Sequence, residues 1–122
     1  MASSTAGDRE FDVVVWGATG FTGRLVAEYL HDQYGTGGDL RWAIGGRNPD
    51  KLAAVRNELG AGDELPIVTG DSGDAPSMAA LAERSTVVCS TVGPFAHYGS
   101  ELVAACAAAG THYCDITGEV QW

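Results

Sequence analysis

Short apolar runs alternate with amphipathic segments along most of the chain. The runs are mostly rich in β-branched residues and end at glycine or polar residues, which predicts buried strands of a parallel sheet. Five strands are predicted, over residues 11–16, 40–44, 65–69, 86–91 and 111–114. The segments between them carry apolar residues at helical spacing. Four helices are therefore predicted, over residues 21–34, 49–59, 76–84 and 100–109.

Strands that alternate with helices in this way form βαβ units around a parallel sheet. Right-handed crossovers then place helices on both faces of the sheet. The predicted fold class is α/β, a Rossmann-type doubly wound parallel sheet of about five strands in the order 3-2-1-4-5. A length of 122 residues suits one domain. Residues 1–10 are polar and are expected to be a disordered lead-in, and residues 11–122 are expected to form the domain.

A glycine-rich turn from Gly17 to Gly23 joins the first predicted strand to the first predicted helix. Gly17 would permit a tight turn, Gly20 would let a pyrophosphate approach the backbone, and Gly23 would let the helix pack closely on the sheet. The anion would lie at the helix N-terminus, where free N–H groups and the helix dipole favour negative charge. The alternative is a tight turn without a ligand. The turn residues predicted to bind the cofactor are Gly17, Ala18, Thr19, Gly20, Phe21, Thr22 and Gly23.

The end of the second predicted strand favours NADP over NAD. NAD-specific domains usually place an acidic residue there, which bonds the ribose 2′-hydroxyl. This chain has Gly45, Gly46, Arg47 and Asn48 instead, and Asp50 follows only inside the helix start. The planar guanidinium of Arg47 suits a 2′-phosphate. The alternative is that Arg47 is a solvated loop charge.

Two further loops are candidates for cofactor contact. Asp71 follows the third strand and would accept a hydrogen bond from the adenine amino group, or it would be a loop or capping aspartate. Gly93, Pro94 and Phe95 leave the fourth strand at the predicted switch point of the sheet, where they would line the nicotinamide half of the cofactor. The alternative for this segment is an ordinary connector with Phe95 in the core.

The chain is acidic, with 16 Asp and Glu, 7 Lys and Arg and a formal net charge of −9. Such a surface repels phosphate backbones and argues against nucleic acid as a partner. No apolar run approaches the roughly 20 residues of a membrane helix, so no transmembrane segment is predicted. Cys89, Cys106 and Cys114 are widely spaced and odd in number, which favours reduced thiols in a cytoplasmic protein.

Neither metal chemistry nor acid–base catalysis finds support in the sequence. His97, His112 and Cys114 match no zinc spacing, so no metal is predicted. Tyr98 is followed four residues later by Leu102 rather than by lysine. The tyrosine–lysine pair of short-chain dehydrogenases therefore has no counterpart at this position, and the catalytic residues are unknown.

Four segments of the chain occur together in one family. They are the glycine turn with its flanks (13–26), Gly-Gly-Arg (45–47), Gly-Pro-Phe-x-x-Tyr-Gly (93–99) and Gly-Thr-His-Tyr-Cys-Asp-Ile-Thr-Gly-Glu (110–119). Together they resemble the saccharopine dehydrogenase-like oxidoreductases, and trans-acting enoyl reductases are similar. Many families share the first segment, whereas the joint occurrence of the last two is much more specific. The resemblance extends from about Phe11 to Trp122.

The resemblance implies the N-terminal domain of a longer NADP(H)-dependent oxidoreductase, which transfers hydride to or from a carbon centre. The substrate domain would be absent, so we expect this chain alone to be inactive. The implied partner is a small-molecule substrate of unknown identity, and a homo-oligomer is possible because a cut edge would expose apolar surface. The alternative is a non-catalytic NADP sensor or scaffold with a Rossmann fold. The resemblance also implies that three residues of the last segment lie near the cofactor-binding cleft, namely Asp115, Gly118 and Glu119.

Overall fold

The computed structural model describes residues 9–119, which form a five-stranded sheet with helices packed against it. The strands are β1 (Phe11–Trp16), β2 (Trp42–Gly46), β3 (Ile67–Thr69), β4 (Ser85–Ser90) and β5 (His112–Asp115). The helices are α1 (Phe21–Tyr34), α2 (Pro49–Leu59), α3 (Ala75–Arg84), α4 (Phe95–Tyr98) and α5 (Ser100–Ala109), with a 3-10 turn at Gly62–Glu64. The strand order is β3-β2-β1-β4-β5 and all pairings are parallel, so the predicted fold is confirmed.

The bounds of β1, α1, α2 and α5 are those predicted, whereas β2 begins and ends two residues later than predicted. The last two residues of β2 are Gly45 and Gly46. Gly45 pairs with Trp16 of β1, and a Cβ at Gly45 would lie 2.8 Å from the Trp16 ring. Glycine belongs inside this strand because the indole ring lies against its backbone. The ends of β3, β4, β5 and α3 differ from the prediction by one or two residues, and α4 was not predicted.

Two apolar cores lie on opposite faces of the sheet, because successive residues of a strand point to opposite sides. Val14 packs on one face in a cluster with Met78 of α3 and Leu102 of α5. Val15 packs on the other face in a cluster that includes Leu52 of α2 and residues of α1. Helices α1 and α2 thus cover one face and α3 and α5 the other, and the carboxyl ends of all five strands open to the same edge.

Helix α1 contacts the sheet through small residues and through only part of its apolar set, since Val26 and Leu30 pack partly buried against the core. Gly23 and Ala27 are its buried residues. Phe21, Leu25 and Tyr29, which stand at helical spacing, are 83%, 49% and 59% exposed. The spacing predicted the helix correctly, but the buried face is the one where small side chains let the helix approach the sheet.

Arg9, expected in the lead-in, is part of the folded domain. The residue is only 6% exposed. Its guanidinium donates four hydrogen bonds of 2.6–2.8 Å, to the carbonyl oxygens of Ala82, Ser85 and Ala109 and to the hydroxyl of Thr111. The carbonyls come from the last turns of α3 and α5 and from the residue after α3, where intrahelical donors are lacking and the helix dipole is negative. A positive donor is therefore well placed between these two helix ends.

Glu10 also belongs to the folded part. Its carboxylate accepts a hydrogen bond of 2.8 Å from Nε of Arg84, and this bond lowers the pKa of Glu10. A disordered lead-in is therefore wrong for Arg9 and Glu10, because both bind side chains or backbone of the domain. Residues 1–8 lie outside the described residues.

Candidate functional site

The glycine-rich turn lies between β1 and α1, as predicted. Gly17 begins it with a φ of +94°, which residues with a side chain rarely adopt. Gly20 is the N-cap of α1, and this helix end has neither a side-chain cap nor an acidic residue in its first turn. Helices α2 and α3 differ, because Asn48 and Asp74 cap their first turns with side-chain oxygens. The first-turn amides of α1 therefore stay available to an anion.

Gly23 brings α1 into close contact with the turn. A Cβ on Gly23 would overlap the carbonyl group of Gly17 and would lie 2.7 Å from Oγ1 of Thr91. That hydroxyl is 3.1 Å from the carbonyl oxygens of both Trp16 and Gly17. The tight turn at Gly17 and the close packing at Gly23 are thus observed, and Thr91 joins the ends of β1 and β4 at the same point.

A cleft of about 420 Å³ opens beside the turn, at the carboxyl ends of the strands. Ligand pockets commonly have volumes of about 300–1,000 Å³. Its lining residues are Trp16, Gly17, Thr19, Gly46, Arg47, Asp71, Ser72, Gly73, Val92, His97 and Tyr98. The cleft therefore brings together the predicted turn, the residue predicted to bind the 2′-phosphate and the predicted adenine contact.

The other predicted turn residues lie around the cleft rather than in its wall. Ala18 is buried, Gly20 and Phe21 are exposed, and Thr22 is partly exposed. A smaller cavity of about 220 Å³ lies near Trp42, at the opposite edge of the sheet, and contains no predicted site residue. The cleft beside the glycine-rich turn is thus the site that the sequence motifs favour.

Arg47 lines the cleft directly after β2 and is exposed. Four arginines pair with carboxylates, as Arg24–Glu58, Arg41–Asp12, Arg56–Asp63 and Arg84–Glu10. Arg47 has no such partner within residues 9–119. Asp50 lies in the first turn of α2, where its N–H bonds to the Asn48 side chain, and not at the strand end. The guanidinium of Arg47 is therefore free to bind an anion in the cleft.

Asp71 both shapes its loop and lines the cleft. Its Oδ1 accepts a hydrogen bond of 2.9 Å from the N–H of Gly73, and its own N–H donates to Oγ of Ser77 at 2.9 Å. This is the loop role that the sequence analysis left open as an alternative to adenine contact. Next to it, Nε1 of Trp16 donates a hydrogen bond of 3.0 Å to Oγ of Ser72. The indole, which is almost fully buried, closes the floor of the cleft.

The segment after β4 forms α4, and its distal end faces the cleft. The ring of Phe95 is buried, as in the connector alternative, while Gly93 and Pro94 are exposed. Val92, His97 and Tyr98 form the wall of the cleft on this side. His97 and Tyr98 were not among the residues predicted to line the site. The Tyr-Gly pair of the family motif was the signal that marked this stretch.

The carboxylate of Glu119 caps α4. The N–H groups of Phe95 and Ala96 donate to its two oxygens at 2.6 and 2.9 Å. Asp115 shapes the preceding turn, since it accepts hydrogen bonds from the Tyr113 hydroxyl at 2.7 Å and from the N–H of Thr117 at 3.1 Å. Burial and the neighbouring carboxylate of Asp115 raise the pKa of Tyr113, so this phenol stays protonated. The end of the described chain thus reaches back to the segment beside the cleft, whereas Gly118 is exposed.

Two of the three cysteines, Cys89 and Cys106, have thiols with raised pKa values. Burial raises the pKa of Cys106 to about 11, and burial together with the neighbouring Cys114 raises the pKa of Cys89 to about 11. A protonated thiol is a poor nucleophile at neutral pH. Within residues 9–119, no group of three or more His, Cys, Asp or Glu side chains is placed to hold a metal, and no helix is long and apolar enough to cross a bilayer.

Comparisons with known proteins converge on one family. The family model described as the saccharopine dehydrogenase NADP binding domain matches residues 13–121. A Mycobacterium tuberculosis protein, named as a candidate trans-acting enoyl reductase, is 52% identical over 116 residues, which are 94% of this chain and 27% of that protein. A trans-acting enoyl reductase of Mycobacterium bovis is 45% identical over the same shares of the two chains. The present chain thus spans about a quarter of the length of these relatives.

The solved structures agree on the fold. Saccharopine dehydrogenase (L-Glu forming) of Saccharomyces cerevisiae superposes with a TM-score of 0.67 over 88% of this chain and 22% of its own. Its sequence identity is only 17%, so the match speaks for the fold alone.

Proposed function

This chain belongs to the saccharopine dehydrogenase NADP-binding domain family, and on that premise we propose that it is the cofactor-binding part of an NADP(H)-dependent oxidoreductase. One observation carries the proposal. The turn that leads into the uncapped N-terminus of α1 and the guanidinium of Arg47, which has no carboxylate partner within residues 9–119, line one cleft at the carboxyl ends of β1 and β2. A dinucleotide with a 2′-phosphate carries negative charge in both places, which supports NADP as the ligand.

Different residues of the cleft would bind different parts of the cofactor. The first-turn amides of α1, preceded by Gly20, would hold the pyrophosphate, and Arg47 would make a bidentate contact with the 2′-phosphate. Asp71, on one wall of the cleft, would contact the adenine, and the nicotinamide would lie on the opposite side, beside the α4 segment with Gly93, Pro94 and Phe95. NADPH, when bound, supplies a hydride. This part of the protein would orient the nicotinamide ring and exclude water from it.

For the whole protein we propose reduction of a small-molecule enoyl substrate, by analogy with the relatives named as enoyl reductases. Hydride would pass from the nicotinamide to the unsaturated carbon centre. The substrate pocket and the proton donor would come from parts of the whole protein that correspond to the regions of the relatives outside the matched segment. We expect the whole protein, with NADPH and an enoyl thioester, to oxidise NADPH in a spectrophotometric assay. NADPH binding without turnover of any enoyl or imine substrate would favour an NADP sensor instead.

The variant Arg47→Ala is expected to weaken NADPH binding by about 1.5–3 kcal/mol, the contribution of hydrogen bonds to charged groups. This corresponds to a roughly 10- to 150-fold rise in Kd. NADH lacks the 2′-phosphate, so its Kd should hardly change. Titration followed by the emission of the bound nicotinamide measures both constants.

The matched control is Arg41→Ala, because Arg41 is also exposed but already pairs with Asp12 at 2.9 Å. This variant should leave the Kd of NADPH within about twofold of the wild-type value. Equal losses of NADPH and NADH affinity in Arg47→Ala would contradict the assignment of this residue to the 2′-phosphate.

A further inference from the structure

Two sets of contacts fix the orientation of helix α4, one through a buried ring and one through its first N–H groups. The ring of Phe95 is buried in the domain, and the N–H groups of Phe95 and Ala96 donate to the two carboxylate oxygens of Glu119. Both hydrogen bonds are charge-assisted and short, at 2.6 and 2.9 Å. The rest of the helix is held by its own backbone hydrogen bonds, since the N–H groups of His97 and Tyr98 both donate to the Pro94 carbonyl oxygen at 3.1 Å.

This orientation decides where two lining residues of the cleft lie. His97 and Tyr98 are exposed and form the cleft wall on the β4 side, opposite Arg47. Their rings contact each other edge to face, with centroids 6.2 Å apart. Because α4 has only four residues, a shift at its first amides would move both rings.

Glu119 is itself held by the sheet. Its N–H donates to Oγ1 of Thr117 at 3.0 Å, and the N–H of Thr117 donates to Oδ1 of Asp115 at 3.1 Å. Asp115 is the last residue of β5 and pairs in register with Ser90 of β4. A continuous series of contacts therefore runs from the carboxyl end of β5 through Glu119 to α4.

We propose that Glu119 is a positioning residue for the nicotinamide half of the cofactor. It acts through α4, which it holds in place. His97 and Tyr98 therefore already form the cleft wall on this side before the cofactor binds. The inference rests on the proposed function, because it takes the ligand of the cleft to be NADP(H). A preorganised wall raises affinity because the cofactor does not have to order it on binding.

The test compares two ligands in the variant Glu119→Gln. The glutamine side chain has the same shape but sets an NH₂ group against a backbone N–H, so one hydrogen bond is lost and two donors face each other. We expect the Kd of NADPH to rise about tenfold. The Kd of adenosine 2′,5′-bisphosphate, which has the 2′-phosphate but no nicotinamide, should stay within about twofold of the wild-type value. Isothermal titration calorimetry measures both.

The matched control is Glu101→Gln, which removes a carboxylate from the exposed surface in the first turn of α5. Both Kd values should then stay within about twofold of wild type. An equal loss for the two ligands in Glu119→Gln, or no loss for either, would overturn the inference while leaving NADP binding intact. A wild-type chain that binds neither ligand would instead overturn the proposed function, and this inference with it.

A second measurement needs no variant. If Glu119 caps α4 in solution, the amide hydrogens of Phe95 and Ala96 should exchange at least about tenfold more slowly than in an unstructured peptide, before any cofactor is added. Exchange at the unstructured rate would show that α4 is not held in advance, and the inference would fail.

Discussion

The variant Gly23→Ala is expected to lower the free energy of unfolding by about 2 kcal/mol and the NADPH affinity roughly 100-fold. Alanine in place of glycine inside a helix would by itself stabilise it by about 1 kcal/mol. Here the added Cβ would overlap the Gly17 carbonyl and lie 2.7 Å from Thr91 Oγ1. The nearest atoms are backbone and cannot turn away, so α1 must move. Overpacking of this kind costs about 1–3 kcal/mol or more and outweighs the gain in propensity.

The same displacement would move the first-turn amides of α1 away from the pyrophosphate, which accounts for the expected loss of affinity. Urea denaturation followed by tryptophan fluorescence measures stability, because Trp16 and Trp42 are both buried. Gly20→Ala is the matched control. Its Cβ would meet only the Gly17 carbonyl oxygen, at an ordinary 3.5 Å, so its stability should change by about 1 kcal/mol or less.

Gly20→Ala should nevertheless bind NADPH more weakly, since its Cβ would stand where the pyrophosphate approaches the backbone. A Gly23→Ala protein as stable as wild type would contradict the packing argument. Wild-type NADPH affinity in Gly20→Ala would contradict the proposed path of the pyrophosphate.

The variant Arg9→Met is expected to lower the free energy of unfolding by about 3–4 kcal/mol. Methionine keeps the apolar length of the side chain but removes all four hydrogen bonds of the guanidinium. Hydrogen bonds to a charged group contribute about 1.5–3 kcal/mol each, and the cost of burying the charge offsets part of that sum. In the variant, the carbonyl oxygen of Ala82 still accepts a hydrogen bond from the Thr111 hydroxyl at 2.6 Å. The loss of unfolding free energy is therefore smaller than the sum of the four hydrogen-bond contributions. Urea denaturation at constant m-value measures the difference.

Arg41→Met provides the control for Arg9→Met. Arg41 is exposed and its ion pair with Asp12 is solvent-accessible, so the cost should stay below about 1 kcal/mol. Arg9→Lys keeps the charge but lacks the planar fork, so it should lose about 1–2 kcal/mol. A loss in Arg9→Met no larger than in Arg41→Met would show that the contacts of Arg9 do not stabilise the domain.

Much of the fold follows from local features of the sequence. The β-branched run at residues 11–16, the glycines that follow it and the periodic segment at residues 21–34 each act over a few neighbouring positions, where strand and helix preferences are set. The strand order could be predicted because short crossovers of one hand leave few arrangements open. Arg47 could be singled out in the same way, because its place after β2 is a matter of chain order.

Other features depend on residues that are far apart in sequence, and only the tertiary structure decided them. The partners of Arg9 lie 73 to 102 positions away, so no local pattern could show that this polar residue is buried. Glu119 reaches α4 across 23 and 24 positions, and without that contact the four residues of α4 are too few to be predicted as a helix.

The sequence by itself determined the type and order of the five strands and of the four long helices, the glycine turn between β1 and α1, and the position of Arg47 directly after β2, since these depend on spacing and chain order. The tertiary structure decided which face of α1 is buried, that Arg9 and Glu10 belong to the folded domain, and what shapes the cleft beside β4. The physical reason is that burial and hydrogen bonding between distant segments depend on the packing of the whole chain, and no short stretch of sequence records it.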